Sequence, residues 1–290
     1  MVKRTQIRHT LLLLLTALIW GCAFVAQQVG ADYVGPFTFL ALRSYLGALV
    51  LLPAVLWHRH RLSWQDLKAG ILLGLWLTAA SYFQQVGVGQ TTVAKAGFIT
   101  TLYVIFVPFL TFLIYHKRVT ARIWFCVALA LGGLYLLSHM TLALSAGDLM
   151  VLLCALFFSG HILTVDHYSQ KTDGLTLSCI QFLTVAVLST LGMLLQEHAD
   201  WSAIRQAGPA ILYAGLLSSG VGYTLQIIGQ KSVSPTVAAL AMSLESAFAA
   251  LAAWVILGQQ LSFAELAGCL LMFMAIVLAQ LPDSRSRQPA

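Results

Sequence analysis

Two stretches decide how this chain folds: GLWLTAASYFQQ at residues 74–85 and GLLSSGVGYTLQ at residues 215–226. Both are apolar, both open on glycine, and both close on Tyr-x-x-Gln. Gly74, Tyr82 and Gln85 thus recur as Gly215, Tyr223 and Gln226 at an offset of 141. Upstream, Ala17-Leu18 recurs as Ala155-Leu156 and Thr38 as Thr176 at an offset of 138, and the difference fits one loop insertion. The polar members form a stripe at helical spacing: Thr78, Tyr82, Gln85 and Gly89 in the first copy, Ser219, Tyr223, Gln226 and Gln230 in the second. Matched stripes on repeat-equivalent helices predict the lining of a polar pathway. Hydrogen-bonded glue between packed helices is the competing reading.

The chain around this pair is 59% hydrophobic and 9% charged, with a mean hydropathy of +0.86. A soluble domain carries about 25% charged residues, so these few cannot build a water-facing surface. Crossing about 30 Å of hydrocarbon takes about 20 mainly apolar residues. Ten segments qualify: 10–29, 36–57, 67–88, 93–115, 121–138, 147–167, 175–196, 207–229, 234–257 and 262–281. The fold class expected is an all-α integral membrane protein of ten transmembrane helices in two five-helix repeats, residues 1–140 and 141–290. At the N-terminus, Lys3, Arg4 and Arg8 precede Leu11–Leu15 and Gly21-Cys22, as in a lipoprotein signal. Bulky Trp20 before the Gly-Cys pair and the continuing apolar run argue for a retained first helix.

Thirteen basic residues fall in one set of loops and ends: Lys3, Arg4, Arg8, Arg59, Arg61, Lys68, Lys117, Arg118, Arg122, Lys171, Lys231, Arg285 and Arg287. Lys95 and Arg205 fall in the other set, and Arg43 inside a helix. The positive-inside rule then places both termini in the cytoplasm of a cell inner membrane, as an even helix count also requires. Scattered in this way, the net charge of +6 reads as a topology signal, and no nucleic-acid partner is expected. Five helices per repeat is odd, so the second repeat is threaded upside down, the architecture of many secondary transporters. Tyr82 and Gln85 are then expected in the outer third of one helix, and Tyr223 and Gln226 in the inner third of its equivalent.

Here the chain resembles the drug/metabolite transporter superfamily, specifically its EamA-type ten-helix members. The resemblance rests on Ala17-Leu18-Ile19-Trp20-Gly21, Leu40-Ala41-Leu42-Arg43, Ala94-Lys95-Ala96-Gly97-Phe98 leading to Val107-Pro108-Phe109, and Leu244-Glu245-Ser246-Ala247-Phe248. It spans nearly the whole chain and implies a transporter with Arg43 at a recurring structural position. Ser246 stands where the family often has proline, so no local signal demands a kink in segment 234–257. Gln259-Gln260 stands where a glutamate commonly follows the glycine.

An ionisable side chain near the bilayer centre costs about 2.5–3.5 kcal/mol on insertion scales, so it faces a cavity or a partner. Glu245, mid-segment, is the first candidate proton carrier, and a protonated helix–helix hydrogen bond is its bland alternative. His161, with Thr164 and Tyr168 on its face, is the second candidate or else a satisfied interior histidine. Lys95 either meets a substrate carboxylate or snorkels to the interface. Asp166, near a helix end, reads as solvated. Trp20 and Tyr103 offer aromatic walls or plain packing. Substrate contacts are therefore expected among Trp20, Arg43, Thr78, Tyr82, Gln85, Lys95, Tyr103, His161, Ser219, Tyr223 and Gln226.

The five cysteines show no CxxC or Cys/His metal spacing, so neither a metal nor a disulfide framework is expected. No G-x-x-x-x-G-K-[ST] loop is present, so nucleotide is not an expected cofactor. The leading function is a secondary transporter, expected to export a small amphipathic metabolite such as an amino acid; its partners are that solute and membrane lipid. A polytopic membrane enzyme would need histidine boxes or H-E-x-x-H, and a channel a ring of like charges; the sequence has neither.

Overall fold

The structure is a computed structural model that describes residues 2–58, 61–116, 119–138, 145–198, 200–258 and 262–280. Arg59, Lys117, Arg118, Gln259-Gln260, Arg285 and Arg287 lie outside the described residues, as do the side chains of Lys3 and Arg4.

Each expected segment falls on one helical unit: α1 (Val2–Ala31), α2 (Pro36–His58), α3 (Trp64–Val88), α4 (Val93–Thr100 and Tyr103–Tyr115), α5 (Ala121–Ser138), α6 (Ala146–Tyr168) and α7 (Gly174–Gln196), then α8 (Gly208–Leu212, Tyr213–Gly222 and Tyr223–Gln230), α9 (Pro235–Met242 and Glu245–Leu257) and α10 (Phe263–Gln280). Eight spans among the described residues are long and apolar enough to cross a membrane, and Ala121–Leu136 and Phe263–Ala279 are shorter apolar helices. Helix starts follow local chemistry. Ser63 and Ser145 close capping boxes with Asp66 and Asp148, and Pro36 and Pro235 sit at first helical positions, where a missing N–H costs nothing. The N-terminus of α2 is capped from the other half of the chain: Glu197 accepts from the backbone N–H groups of Phe37 and Thr38, each at 2.8 Å.

The surface of the fold is apolar over a core that is itself mostly apolar but also holds polar groups. Leu49, Leu56, Leu194, Leu195, Val255 and Phe263 are exposed, whereas Arg43, Gln85, Asp148, His161, Gln181 and Glu245 are buried. Such a surface suits hydrocarbon, and such an interior holds its polar groups against one another.

Packing repeats under exchange of the halves. The helix α2 lies on α7 and α5 on α10; α3 lies on α6 and α7 as α8 lies on α1 and α2; α1 packs on α9 as α6 packs on α4. The glycines mark the match. A methyl on Gly74 would come within 2.4 Å of Thr184 Cβ and 2.9 Å of the Gln181 carbonyl. A methyl on Gly215 would come within 2.6 Å of Leu46 Cβ and 3.0 Å of the Arg43 carbonyl. Thr184 and Gln181 stand at an offset of 138 from Leu46 and Arg43, so both glycines let equivalent backbones touch.

One helix departs from the match. Residues Tyr213–Gly222 of α8 are π-helical, and the N–H of Tyr223 bonds to Ser218 O, five residues back. Each i→i+5 turn takes in about one more residue than an i→i+4 turn, so the repeat offset grows inside the helix. Beyond it the halves align at 142: Thr92 and Ser234 are the N-caps of α4 and α9, and Tyr103 and Glu245 begin their second segments.

Candidate functional site

The two broken helices, α4 and α9, carry the centre of the molecule. Each is interrupted at the equivalent place, Thr101-Leu102 and Ser243-Leu244. There the backbone tightens into i→i+3 bonds, Val104 N–H to Thr101 O at 3.0 Å and Ser246 N–H to Ser243 O at 3.3 Å. Thr101 and Ser243 hydroxyls donate to the carbonyls of Phe98 and Leu240, both at 2.8 Å, satisfying groups that a continuous helix would have paired. The α9 break therefore forms without a proline. Ser246 ties the two helices together instead, its Oγ lying 3.0 Å from Gly97 O and 3.1 Å from Thr101 Oγ1.

At the next turn Tyr103 Oη donates to Glu245 Oε1 at 3.1 Å. Both residues open a second half-helix, and they are repeat equivalents, so the bond joins a position to its own counterpart. They line a narrow cavity of about 20 Å³, room for about one water. Its walls are built from further equivalent pairs: Trp20 with Phe158, Phe24 with Ile162, and Gln84 with Gln226. Ala23, Gln27, Arg43, Ser218 and Tyr223 complete the lining.

Polar groups here are sparsely paired. Arg43 is 2% exposed; its Nη2 donates to Ser81 Oγ at 3.1 Å and its guanidinium lies 6.0 Å from the Phe39 ring centroid. Its Nε, and the Oε1 atoms of Gln27 and Gln226, are buried with no partner among the described residues. The Tyr223 ring sits 4.5 Å from that of Trp20, 5.3 Å from Phe182 and 5.9 Å from His161. A larger cavity of about 500 Å³ opens where α4 and α6 end and α9 begins, lined by Thr111, Tyr115, Asp166, His167 and Thr236.

The EamA-like transporter family model matches residues 8–139 and again 145–281. This chain belongs to the EamA-like transporter family. It is 30% identical over 269 residues to an uncharacterized transporter of Archaeoglobus fulgidus, covering 93% of this chain and 84% of that one. It is also 26% identical over 282 residues to the uncharacterized transporter YwfM of Bacillus subtilis, covering 93% of both. A solved crystal structure shares the fold with a TM-score of 0.79 at 19% identity, covering 94% of this chain and 98% of that one. The chain is a multi-pass membrane protein of a transporter family.

Within this EamA fold, Trp20, Arg43, Tyr103, Tyr223, Gln226 and Glu245 meet at one cavity. His161 stands behind it, fully buried, with its Nε2 3.0 Å from Gln181 Oε1. Lys95 is elsewhere: its Nζ pairs at 2.6 Å with Asp148 Oδ2 at the start of α6, where Thr91 also donates to Asp148. Tyr82 stacks on Phe37 at 4.5 Å. Gln85 donates to the Gln27 carbonyl at 3.0 Å, Thr78 to Gly74 O at 2.7 Å, and Ser219 packs against Gly47.

The two tyrosine stripes are therefore not counterparts. Structurally Ser81 and Gln84 answer to Tyr223 and Gln226, because the π-helical stretch absorbs one residue between Gly215 and Tyr223. Sequence reasoning passed over Gln27, Gln84 and Asp148. For the two glutamines, an amide inside an apolar segment is the signal that finds them. For Asp148, the local Ser145–Asp148 capping box hid the long-range pairing.

Proposed function

We propose that this chain is a secondary transporter that exports a small amphipathic metabolite, such as an amino acid, across the cell inner membrane. The halves, residues 1–140 and 141–290, rock about the central cavity in alternating access, with both termini cytoplasmic. One observation carries the reading. A cavity between the halves holds a buried arginine, a buried carboxyl group and aromatic walls, and each half contributes equivalent positions to it. A site between equivalent halves is reached from either side by the same motion with the halves exchanged.

In this form the cavity admits about one water, so a metabolite enters only when the walls part. The separate cavity where α4 and α6 end and α9 begins is wide enough for a solute. Glu245 is the proton carrier of the cycle: it is buried and hydrogen-bonded to a single side chain, Tyr103, so it exchanges partners without dismantling a network.

The test uses full-length protein in liposomes, with a metabolite panel chosen by growth protection of overexpressing cells. Counterflow of a labelled panel member is expected, and leakage without counterflow would mean a channel. In Glu245→Gln, accumulation driven by a pH gradient should fall at least tenfold relative to counterflow. An unchanged ratio removes Glu245 from the coupling role.

A further inference from the structure

Rocking halves need pieces of chain that seal each end, and the packing of equivalent helices differs at one place that could supply them. A methyl on Gly21 of α1 would come within 2.5 Å of Phe248 Cβ and 2.8 Å of both the Ala249 nitrogen and the Glu245 carbonyl oxygen. Here α1 and the second segment of α9 touch backbone to backbone. The offset of 138 makes Ser159 of α6 the counterpart of Gly21. Ser159 is fully buried, its hydroxyl donating to the Ala155 carbonyl at 2.7 Å. It carries the Cβ for which the glycine contact has no room, so the second segment of α4 is held further from α6.

The residues beside these contacts divide in the same way. The segment Glu245–Leu257 of α9 buries Ala249, Ala252 and Ala253, and the equivalent positions in α4 are Val107, Leu110 and Thr111. Small side chains let α9 settle on α1, and larger ones prop α4 off α6. The cavity of about 500 Å³ opens at the ends of the propped pair, with Thr111 and Tyr115 from α4 facing Asp166 and His167 from α6. In the orientation proposed above this opening faces the cytoplasm, and the tight α1–α9 contact lies toward the outer side.

Both second segments have a hinge. Each has 13 residues, a rod of about 20 Å, and each starts at a break. The bonds from Tyr103 to Glu245 and from Ser246 to Gly97 and Thr101 lie within about a turn of the breaks, so they leave the far ends unpinned. The first segment of α9 packs on the second of α4, and the first of α4 on the second of α9. Each rod therefore leans on the base of the other, which couples their swings.

We propose that the second segments of α4 and α9 are the inner and outer gates of the cycle, hinged at Thr101-Leu102 and Ser243-Leu244. Gly21 holds the outer gate shut in this conformation, and Ser159 keeps the inner gate ajar. The proposal rests on the transporter reading above and adds its moving parts and the residue pair that sets the resting side.

The experiment places reporter cysteines at equivalent positions of the full-length protein in native membranes, Thr111→Cys in the inner gate and Ala253→Cys in the outer. A membrane-impermeant thiol reagent is applied from outside to spheroplasts and from inside to inverted vesicles. Labelling is read residue by residue by mass spectrometry, with the buried Cys126 as the marker of unfolding. With Gly21 and Ser159 intact, Thr111→Cys should label from the inner side and Ala253→Cys should resist from the outer. Gly21→Ala should raise outer labelling of Ala253→Cys at least tenfold and lower inner labelling of Thr111→Cys at least threefold. Ser159→Gly, which adds no bulk, should lower inner labelling of Thr111→Cys at least threefold. If Gly21→Ala labels Cys126 as well, it has unfolded, and Ser159→Gly decides the matter. Access gained at Ala253→Cys with none lost at Thr111→Cys is local loosening and overturns the gates, as does unchanged labelling in both variants. Labelling needs no solute, so missing counterflow would defeat the transporter reading while these ratios still judge the gates.

Discussion

The helices α3 and α8 begin alike and end differently. Gly74 and Gly215 touch equivalent backbones on α7 and α2. Eight residues later Tyr82 stacks on Phe37 away from the cavity, while Tyr223 stands in its wall. The intervening chain is α-helical in α3 and π-helical in α8. Identical spacing in sequence therefore reaches different faces, and the cavity gains a phenol from α8 at the position where α3 carries the small Ser81, bonded to Arg43. Homology between the repeats holds for packing and fails for chemistry.

The harshest way to break this comparison is to delete one residue from each helix. Removing Val221, exposed in the π-helical stretch, lets α8 close as an ordinary helix with Tyr223 still in place, and the protein should purify as a monodisperse species. Removing Ala79 from α3 offers no surplus residue to absorb, turns every later side chain by about 100° and should abolish folded protein in size-exclusion chromatography. Equal tolerance of both deletions would disprove the insertion.

A second contrast lies at the starts of α4 and α9, where Lys95 pairs with Asp148 and the equivalent Val237 carries no charge. Lys95→Met takes the cation from a carboxylate that keeps its bonds from Thr91 and the Ser145 N–H, a loss of about 1.5–3 kcal/mol that should lower the thermal midpoint in detergent. The double variant Lys95→Met/Asp148→Asn should recover part of it. If Lys95→Met unfolds like the wild type, the pair is not structural.

How much was legible beforehand depends on which force acted. The ten spans and Glu245 are legible because hydrocarbon imposes a length and a polarity that composition records directly. The glycine contact is legible because small residues at a fixed offset have one common use. The breaks at Thr101-Leu102 and Ser243-Leu244 are not, since neither contains proline or glycine and each depends on carbonyls finding hydroxyl partners. The register change is not legible either. A one-residue insertion inside a helix looks, in sequence, like a difference between loops, so the sequence aligns Tyr82 with Tyr223 where the structure aligns Ser81 with it. Lys95 shows a third limit, because its partner is 53 residues away on another helix.

Transport assays sharpen the comparison at lower cost to the fold. Tyr223→Phe should slow counterflow about tenfold, the equivalent of about 1.4 kcal/mol, whereas Tyr82→Phe should stay within twofold of the wild type. Matching losses in the two would return the stripes to equivalence. The smallest effect expected is that of Ser246→Ala, which removes the hydroxyl between Gly97 and Thr101. A hydrogen bond between membrane helices is worth about 0.6 kcal/mol, so unfolding in detergent should shift only slightly, while a collapse of stability would make Ser246 the principal tie between α4 and α9.

The bond from Tyr103 to Glu245 has a historical consequence. If a single five-helix ancestor paired with an inverted copy of itself, this position would face itself across the dimer axis, and both sides would carry one residue type: two phenols or two carboxylates. Only after the gene is duplicated do the two copies mutate separately. An acid on one side with a phenol on the other is a state that a chain paired with its own copy cannot reach, and with it comes a distinction between the two sides of the contact.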